Sequence, residues 1–454
     1  MAIQTVNPAT GEVVKNFDPH STEEVKHKLN AAEEAFQEWR NTSFEERARR
    51  MHRQADILEQ EAEHYGRIIT LEMGKPLQDS IAEVKKCAKA CRYYADHAAE
   101  FLKDEEIESS ASRSLISYEP LGVVLAIMPW NFPFWQVYRF LAPALMAGNV
   151  GVLKHASNVP QCALAIEEIV QKAGFPENVF QALLIGSGEV DAVIAHPHVK
   201  AVTLTGSEGA GSKVAEKAGE EIKKTVLELG GSDAFIVLED ADLEQAAEVA
   251  VKSRMVNTGQ SCIAAKRFIV VESVADKFLE KMKSKMAALR TGNPLEEECD
   301  YGPLARKDLA EDLEQQVKAS VEKGAEVVLE GGRDGQDNAY FKPMILKNVK
   351  PGMPAYEEEM FGPVAAVMVV KDEAEAIRVA NDSRYGLGGA VWTQDKERGL
   401  RVARQVETGA MFVNALVAST PEMPFGGIKK SGYGRELSYI GIREFTNQKS
   451  IWIA

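Results

Sequence analysis

The sequence predicts an α/β protein built on a doubly wound parallel sheet. Short apolar runs rich in β-branched residues, such as 150–153, alternate with segments of helical periodicity, such as 159–174. Strands and helices that alternate at this spacing usually form parallel sheets with helical crossovers. The chain has 454 residues, which is more than one hydrophobic core normally serves, so we expect two or three domains.

The first half of the chain opens with helices and then alternates. From Ser21 to about Leu102, apolar residues recur at spacings of three and four, and Thr42-Ser43-Phe44-Glu45-Glu46 offers a helix-capping start. The stretch from Ile107 to Tyr118 alternates polar and apolar residues, which predicts one extended strand. Further strands are predicted at 122–127, 150–153, 182–185, 201–204, 224–229 and 234–237, and helical segments at 159–174, 190–194 and 212–219.

A second α/β series follows Asp240. Its first helix is predicted over 242–258 and leads towards Cys262. The C-terminal residues 449–453 alternate polar and apolar and predict a final strand. Between them we expect strands at 267–271, 325–329 and 364–370, and helices at 274–288 and 373–381.

Composition excludes several classes of protein. The net charge of −15 argues against a nucleic-acid surface, which needs clustered Lys and Arg. No apolar run reaches membrane-spanning length, and the first residues lack the basic and apolar regions of a secretory signal. Five widely spaced cysteines do not form a disulfide framework, so we expect a cytoplasmic protein with reduced thiols.

Three short clusters carry the residue types needed for covalent chemistry on a carbonyl. They are Asn257-Thr258-Gly259-Gln260-Ser261-Cys262, Leu227-Glu228-Leu229-Gly230-Gly231 and Pro129-Trp130-Asn131-Phe132-Pro133. A thiolate can add to the carbonyl carbon, an amide can stabilise the oxyanion, and a carboxylate can activate water. Each residue alone also has a plainer interpretation: a buried inert cysteine, an ion-paired glutamate or a turn asparagine.

The surroundings of Cys262 predict a reactive thiol. Gly259 and small or polar neighbours suit a loop or a helix N-terminus, where a helix dipole would favour the thiolate. The other cysteines are expected to be inert. Cys87 and Cys91 lie four residues apart on a helix, but no second ligand pair is near them in the sequence, so no metal site is predicted.

The three clusters, taken with Glu358-Glu359-Met360-Phe361-Gly362-Pro363 and Pro424-Phe425-Gly426-Gly427, resemble the aldehyde dehydrogenase superfamily over essentially the whole chain. Within it, the sequence is most similar to the bacterial-type NADP-dependent succinate-semialdehyde dehydrogenases. The resemblance implies a Rossmann-type cofactor domain (1–103 and 121–232), an α/β catalytic domain (233–433) and a small β oligomerisation module (104–120 and 434–454). It also implies a homodimer or homotetramer.

The resemblance implies roles for the three chemical residues. Cys262 would be the nucleophile that forms a thiohemiacetal and then a thioester. Glu228 would be the general base that activates water for thioester hydrolysis. Asn131 would donate its side-chain N–H to the oxyanion, together with the backbone N–H of the cysteine. An acylating, CoA-dependent reaction is disfavoured because such relatives usually lack the carboxylate found at Glu228.

No G-x-G-x-x-G motif is present, so the usual dinucleotide fingerprint fails. The resemblance instead implies pyrophosphate contacts at Gly206 and Ser207 and a ribose contact at Lys154. Where NAD-preferring relatives often carry Glu, this chain has Ser157, which removes repulsion of a 2′-phosphate, so NADP is expected and NAD with lower preference. The remaining implied cofactor contacts are Trp130, Leu229, Glu359 and Phe361.

Substrate recognition rests on fewer residues. Arg139, with Trp135 beside it and Ser419 further on, matches family positions that bind the distal carboxylate of succinate semialdehyde. A second arginine that better-known semialdehyde enzymes carry six residues before the nucleophile is Val256 here. Another small aldehyde, ω-carboxylated or aliphatic, therefore stays an alternative, as does a non-catalytic protein that retains the scaffold.

Overall fold

The computed structural model describes residues 3–335 and 338–454. The helices are α1 Thr22–Trp39, α2 Phe44–Gln60, α3 Ala62–Met73, α4 Leu77–Phe101, α5 Trp135–Met146, α6 Pro160–Lys172, α7 Val190–Ala195, α8 Glu208–Glu220, α9 Leu243–Met255, α10 Glu272–Ala287, α11 Lys307–Glu322, α12 Pro354–Glu357, α13 Glu373–Asn381, α14 Lys396–Ala403 and α15 Ser438–Arg443.

The strands of the first half are β1 Ile3–Val6, β2 Val13–Phe17, β3 Glu105–Glu106, β4 Arg113–Pro120, β5 Val123–Met128, β6 Val150–His155, β7 Phe180–Ala182, β8 Val199–Thr205 and β9 Lys224–Glu228. Those of the second half are β10 Asp233–Val237, β11 Ala265–Val271, β12 Glu326–Leu329, β13 Gly332–Arg333, β14 Phe341–Lys342, β15 Met344–Lys347, β16 Val364–Val370, β17 Tyr385–Gly386, β18 Gly388–Trp392, β19 Ala410–Val413, β20 Ile428–Lys429, β21 Gly432–Tyr433 and β22 Thr446–Ile453.

Two large sheets organise the chain. The first has the strand order β21-β9-β8-β5-β6-β7 and is parallel except for β21. Its order reverses around β5, which pairs with β6 on one side and β8 on the other. In doubly wound sheets, ligands bind at the carboxyl ends of the strands beside such a reversal. The predicted α/β architecture with parallel sheets is confirmed.

The second sheet has the order β12-β15-β16-β11-β10-β18-β19, with only β12 antiparallel. One of its inner strands, β10, is buried on both faces. Ala234 and Ile236 belong to one apolar cluster, and Phe235 and Val237 belong to another. Because side chains alternate across a strand, a continuous apolar run is what a sheet covered on both faces requires.

Helices α1–α4 form a layer against the first sheet. Ser43 caps α2 by accepting the N–H of Glu46, as the sequence predicted, and Ser21 forms a full capping box with Glu24 at the start of α1. Their apolar faces, with residues such as Leu29, Trp39 and Met51, join one core with β5 and β6. This layer also supplies two buried carboxylates, Glu83 and Glu72, which accept backbone N–H groups at the starts of α5 and α6.

A separate three-stranded sheet has the order β22-β4-β3. β22 pairs antiparallel with β4 from Thr446 to Ile453 and leaves its other edge unpaired. Trp452 on this edge strand is 60% exposed. The predicted C-terminal strand is confirmed and begins earlier than predicted.

Three predicted boundaries are wrong. The strand predicted over 107–118 begins only at Arg113, because residues 107–112 form the turn from β3, closed by the hydroxyl contact between Ser109 and Ser114. The strand predicted over 182–185 ends at Ala182, since the N–H of Ile185 bonds to the carbonyl of Leu183 in a tight turn. The helix predicted over 242–258 ends at Met255, because the chain reverses sharply at the left-handed residues Asn257 and Thr258.

Among the described residues, no helix is both long and apolar enough to cross a membrane.

Candidate active site

The candidate site lies where the edges of the two large sheets meet. The first sheet presents its carboxyl ends: β5 leads to Asn131 and β9 ends at Glu228. The second sheet presents its amino ends, because Cys262 comes just before β11 and Glu359 just before β16. Residues from distant parts of the chain therefore converge at this edge.

Glycines in the sequence motifs permit this close approach. A Cβ atom on Gly231 would lie 2.7 Å from the carbonyl oxygen of Cys262, and one on Gly230 would lie 2.5 Å from Oε2 of Glu359. A Cβ on Gly259 would overlap the backbone of Gly362. The motifs are thus in direct contact with one another, and a side chain at any of these glycines would separate them.

The loop that carries Cys262 has a strained backbone. Asn257, Thr258 and Gly259 have φ values of 53°, 55° and 78°, all in the left-handed region. This conformation is unfavourable for a β-branched residue such as Thr258 and persists only where the surroundings enforce it. Its sharp reversal explains why α9 ends at Met255.

Buried polar groups hold the loop in place. Nη2 of Arg254 donates to the carbonyl of Gly259 at 2.6 Å, and Nδ2 of Asn257 donates to the carbonyl of Asn131 at 2.7 Å. Lys266 is fully buried, and its amine donates to the carbonyls of Ser261 and Cys262 at 2.8 and 2.7 Å. The cysteine is therefore positioned by side chains on both sides of the loop.

Cys262 is partly exposed and lies in a turn that does not begin a helix. Of the two settings expected for this thiol, a loop or a helix N-terminus, the structure shows the loop, so the helix-dipole alternative is the one that is wrong. Burial of the thiol raises the pKa of Cys262 to about 12, although the charges of Arg139 and Lys266 act in the opposite direction. Burial therefore favours the neutral thiol over the thiolate, and the proton must leave before the sulfur can attack.

Glu228 is buried at the end of β9, and neither of its carboxylate oxygens has a hydrogen-bond partner among the described residues. Burial raises the pKa of Glu228 well above its usual value; Glu436 raises it further and Arg139 lowers it. Gly426 makes room for this side chain, because a Cβ there would lie 2.7 Å from Oε1 of Glu228. A buried carboxylate with free oxygens and a raised pKa has the properties of a general base.

Asn131 is buried beside the cysteine loop. Its Nδ2 donates to the carbonyl of Gln260 at 3.1 Å, which uses one of its two N–H groups. The other N–H remains for an oxyanion, which agrees with the donor role that the sequence suggested.

A small cavity of about 190 Å³ contains Cys262 and the three residues expected to bind substrate, Trp135, Arg139 and Ser419. Its volume lies below the roughly 300–1,000 Å³ of pockets for drug-sized ligands, which favours a small substrate. Nε1 of Trp135 donates to Oγ of Ser419 at 2.9 Å. Val256 forms part of the wall.

Arg139 already has a charged partner. Its Nε lies 2.8 Å from Oε2 of Glu436, both side chains are buried, and its guanidinium stacks over the ring of Phe425 at 4.6 Å. Its charge is therefore largely balanced within the protein. No local pattern in the sequence predicts this pairing, because Glu436 lies almost 300 residues from Arg139.

A second cavity, of about 850 Å³, is lined by Trp130, Lys154 and Ser157. Lys154 forms no ion pair with any described residue, and burial lowers its pKa while Glu189 acts to raise it. An unpaired amine beside a serine hydroxyl, at the carboxyl end of β6, fits the phosphate and ribose groups of a dinucleotide. Glu189, which sequence reasoning missed, also lines this cavity.

The other expected cofactor residues surround this region without all lining one cavity. Ser207 caps α8 by accepting the N–H of Ala210 at 3.3 Å, and Leu229 packs where a Cβ on Gly211 would clash. The ring of Phe361 meets Trp130 edge-on at 5.8 Å. Glu359 accepts the N–H of Gly231 and lies 3.3 Å from the amine of Lys266.

Sheet edges, glycine contacts and cavities together define an α/β protein with a small pocket lined by Cys262 and a larger cavity lined by Lys154 and Ser157. A sequence model of the aldehyde dehydrogenase family matches residues 1–451, and the chain belongs to this family.

Several known proteins are similar to this chain over its whole length. A probable NADP⁺ succinate-semialdehyde dehydrogenase of Synechocystis sp. is 54% identical over the whole of both chains. The NADP⁺ succinate-semialdehyde dehydrogenase of Mycobacterium leprae is 49% identical, again over the whole of both chains. The crystal structure of succinic semialdehyde dehydrogenase from Streptococcus pyogenes in complex with NADP⁺ superimposes with a TM-score of 0.98 at 41% identity and covers all of both chains.

Proposed function

We propose that this protein oxidises succinate semialdehyde to succinate with NADP⁺. The observation that carries the proposal is the small cavity in which the Cys262 thiol shares walls with Arg139, Trp135 and Ser419. Such a pocket has a nucleophile at one place and anion-binding groups at another, as an aldehyde with a distal carboxylate requires. The two similar proteins that are named succinate-semialdehyde dehydrogenases support this substrate.

In the proposed reaction the thiol of Cys262 loses its proton and the sulfur adds to the aldehyde carbon. A C–S bond forms, and the carbonyl oxygen becomes an oxyanion that accepts the remaining N–H of Asn131 and the backbone N–H of Cys262. The nicotinamide of the bound dinucleotide supplies the acceptor for the hydride that leaves this carbon. The product on the protein is a thioester on Cys262.

Water then releases the acid. Glu228 takes a proton from water, the oxygen attacks the thioester carbon, and the C–S bond breaks to free succinate and the thiol. Overall, one aldehyde, one water and one NADP⁺ would give one carboxylate, one NADPH and two protons; the aldehyde carbon loses two electrons as hydride, and water supplies the new oxygen. The free oxygens of Glu228 and the space beside Gly426 support this role.

The cofactor preference follows from Ser157 and Lys154. A glutamate at 157 would place a second carboxylate beside Glu189, whereas serine leaves a hydroxyl donor next to the unpaired amine. We propose that these two residues bind the adenosine ribose and its 2′-phosphate. NAD would be accepted with lower preference.

A neutral aliphatic aldehyde is the second candidate substrate. The observation that favours it is the ion pair between Arg139 and Glu436, which leaves Arg139 with little net charge for a substrate carboxylate. Either candidate uses the same chemistry at Cys262.

The test is a panel of C2–C6 aldehydes with and without a terminal carboxylate, measured by NADPH absorbance with NADP⁺ and with NAD⁺. We expect the highest kcat/KM for succinate semialdehyde with NADP⁺. A neutral aldehyde with an equal or higher kcat/KM would transfer the proposal to the second candidate. The Cys262→Ala variant is the control and should form no NADPH with any aldehyde.

We also propose the assembly and location expected from the sequence. The exposed edge of β22, with Trp452 on it, supports an oligomerisation module formed by 104–120 and 434–454 in a homodimer or homotetramer. The cofactor domain would comprise 1–103 and 121–232, and the catalytic domain 233–433. All five cysteines are free thiols, which supports a reducing cytoplasmic setting.

A further inference from the structure

Lys86, on α4, is a cation that lies outside the five sequence motifs. It lines the same cavity as Cys262 and also the neighbouring cavity of about 840 Å³, with which that cavity shares Phe132, Trp135 and Val256. Its amine lies 4.1 Å from the centre of the Trp135 ring and donates to Oγ of Ser419 at 3.2 Å. Lys86 thus stands at the junction of the two cavities.

No carboxylate within the described parts of the chain forms an ion pair with Lys86. Glu83, one turn earlier on α4, is paired with Lys75, and the exposed Lys89, one turn later, is paired with Glu422. Burial, together with the nearby positive charge of Arg139, lowers the pKa of Lys86 to about 8, although Cys87 and Glu83 act in the opposite direction. A partly desolvated ammonium without a counter-ion gains stability from any anion that enters the cavity.

Ser419 is prepared to bind the same anion. Its oxygen accepts one hydrogen bond from Lys86 and one from Trp135, at 3.2 and 2.9 Å. A hydroxyl oxygen has two acceptor sites and one hydrogen, so both acceptor sites are used. The hydroxyl hydrogen is therefore left to donate to a ligand in the cavity that Ser419 lines.

Arg139 differs from Lys86 in this respect, since its charge is balanced by Glu436. The position where better-known semialdehyde enzymes have a second arginine is Val256 in this chain, which brings no charge to the wall. The uncompensated positive charge of the pocket thus belongs to Lys86.

We propose that Lys86, together with the hydroxyl of Ser419, binds the distal carboxylate of the aldehyde and makes the pocket selective for short ω-carboxylated aldehydes. This inference rests on the proposed function and names the residue that sets its substrate class. The aldehyde end of the same molecule would reach Cys262 across the cavity, with Trp135 between the two anchors.

The test compares Lys86→Met with Lys85→Met. Both changes remove a lysine from the same helix, but Lys85 is exposed and lines neither cavity. Kinetics are measured with succinate semialdehyde and with butanal, which has the same carbon chain without the carboxylate. Because a hydrogen bond to a charged group contributes about 1.5–3 kcal/mol, Lys86→Met should lower kcat/KM for succinate semialdehyde roughly 10–100-fold. The value for butanal should change by less than about threefold, and Lys85→Met should match the wild type.

An unchanged ratio of the two kcat/KM values in Lys86→Met would overturn the proposal. Lys86→Arg, which keeps the charge, should retain most of the preference for the acid. If Lys86→Met does not fold, Lys86→Gln gives the same comparison.

Inhibition by succinate separates this proposal from the proposed function. Measured against butanal as substrate, succinate should inhibit the wild type and Lys85→Met at lower concentration than Lys86→Met. This result would support anion binding at Lys86 even if the wild type failed to prefer succinate semialdehyde, which would refute the proposed function alone. Equal inhibition of all three proteins would refute the role of Lys86.

Discussion

The cavity lined by Cys262, our proposed aldehyde pocket, and the cavity lined by Lys154, our proposed dinucleotide cleft, are supported by similar contacts that differ in charge. In each, a buried carboxylate from the helical layer accepts backbone N–H groups at the start of a helix that follows a strand of the first sheet. Glu83 accepts the N–H groups of Phe134 and Trp135 at the start of α5, and Glu72 accepts those of Gln161 and Cys162 at the start of α6. Helix α5 then carries Arg139, and α6 begins just after the Lys154–Ser157 turn.

The two sets of contacts differ in charge. Glu83 is also paired with the buried Lys75, which lies over the ring of Phe132. Glu72 has the hydroxyl of Thr5 as its other partner, and burial raises its pKa. The aldehyde side therefore keeps a balanced pair of charges under its helix, while the cofactor side relies on neutral donors. Within the same helical layer, Lys75 is therefore balanced by Glu83, whereas Lys86, which we propose to bind the substrate carboxylate, is paired with no carboxylate among the described residues.

The largest expected effect separates hydride transfer from hydrolysis. Glu228→Gln keeps the shape of the side chain but removes the base, so steady-state turnover should fall about 10²–10⁴-fold. Stopped-flow absorbance should still show one rapid burst of NADPH per site. Loss of the burst would place Glu228 before hydride transfer and give it a role in activating Cys262.

A second change tests the cofactor side alone. Ser157→Glu adds a carboxylate next to the proposed 2′-phosphate position, and unit charges about 4 Å apart at an effective dielectric of about 20 interact by about 4 kcal/mol. The ratio of kcat/KM for NADP⁺ to that for NAD⁺ should fall by about 10²–10³. The preference for succinate semialdehyde over butanal should not change. A constant cofactor ratio would refute the role of Ser157.

The pH dependence of thiol reactivity tests the aldehyde side. Since the pKa of Cys262 is raised to about 12, its thiolate fraction should rise tenfold per pH unit through the neutral range. Alkylation by iodoacetamide without cofactor should therefore be about 100-fold faster at pH 9 than at pH 7. The Cys262→Ala variant corrects for the four remaining cysteines. A plateau below pH 8 would show that the free enzyme already holds a thiolate.

The smallest effect compares the two supporting carboxylates directly. Glu83→Gln and Glu72→Gln each remove a charge-assisted hydrogen bond, which corresponds to roughly a tenfold change. Glu83→Gln should raise KM for the aldehyde, and Glu72→Gln should raise KM for NADP⁺. If both variants raise both KM values equally, the helical layer supports the site as a whole and the comparison fails.

Much of the fold could be predicted from local patterns. The alternation of apolar runs and helices gave the parallel α/β architecture, and the capping residue Ser43 gave the start of α2. The boundaries that failed were set by backbone conformation, as at Thr258, where a β-branched residue takes a left-handed φ that local propensity disfavours. Only the surrounding contacts make that conformation stable.

The family, the motif residues and the position of the thiol are evident from the sequence, because they depend only on residue type and order. Tertiary structure alone decided the charge state of the pocket. Whether a cation is balanced depends on which residues distant in the chain lie beside it: Arg139 is paired with Glu436, whereas Lys86 contacts Ser419 and the ring of Trp135 and forms no ion pair within the described residues. Electrostatic interactions act through space and depend on burial, so no local pattern along the chain reveals them.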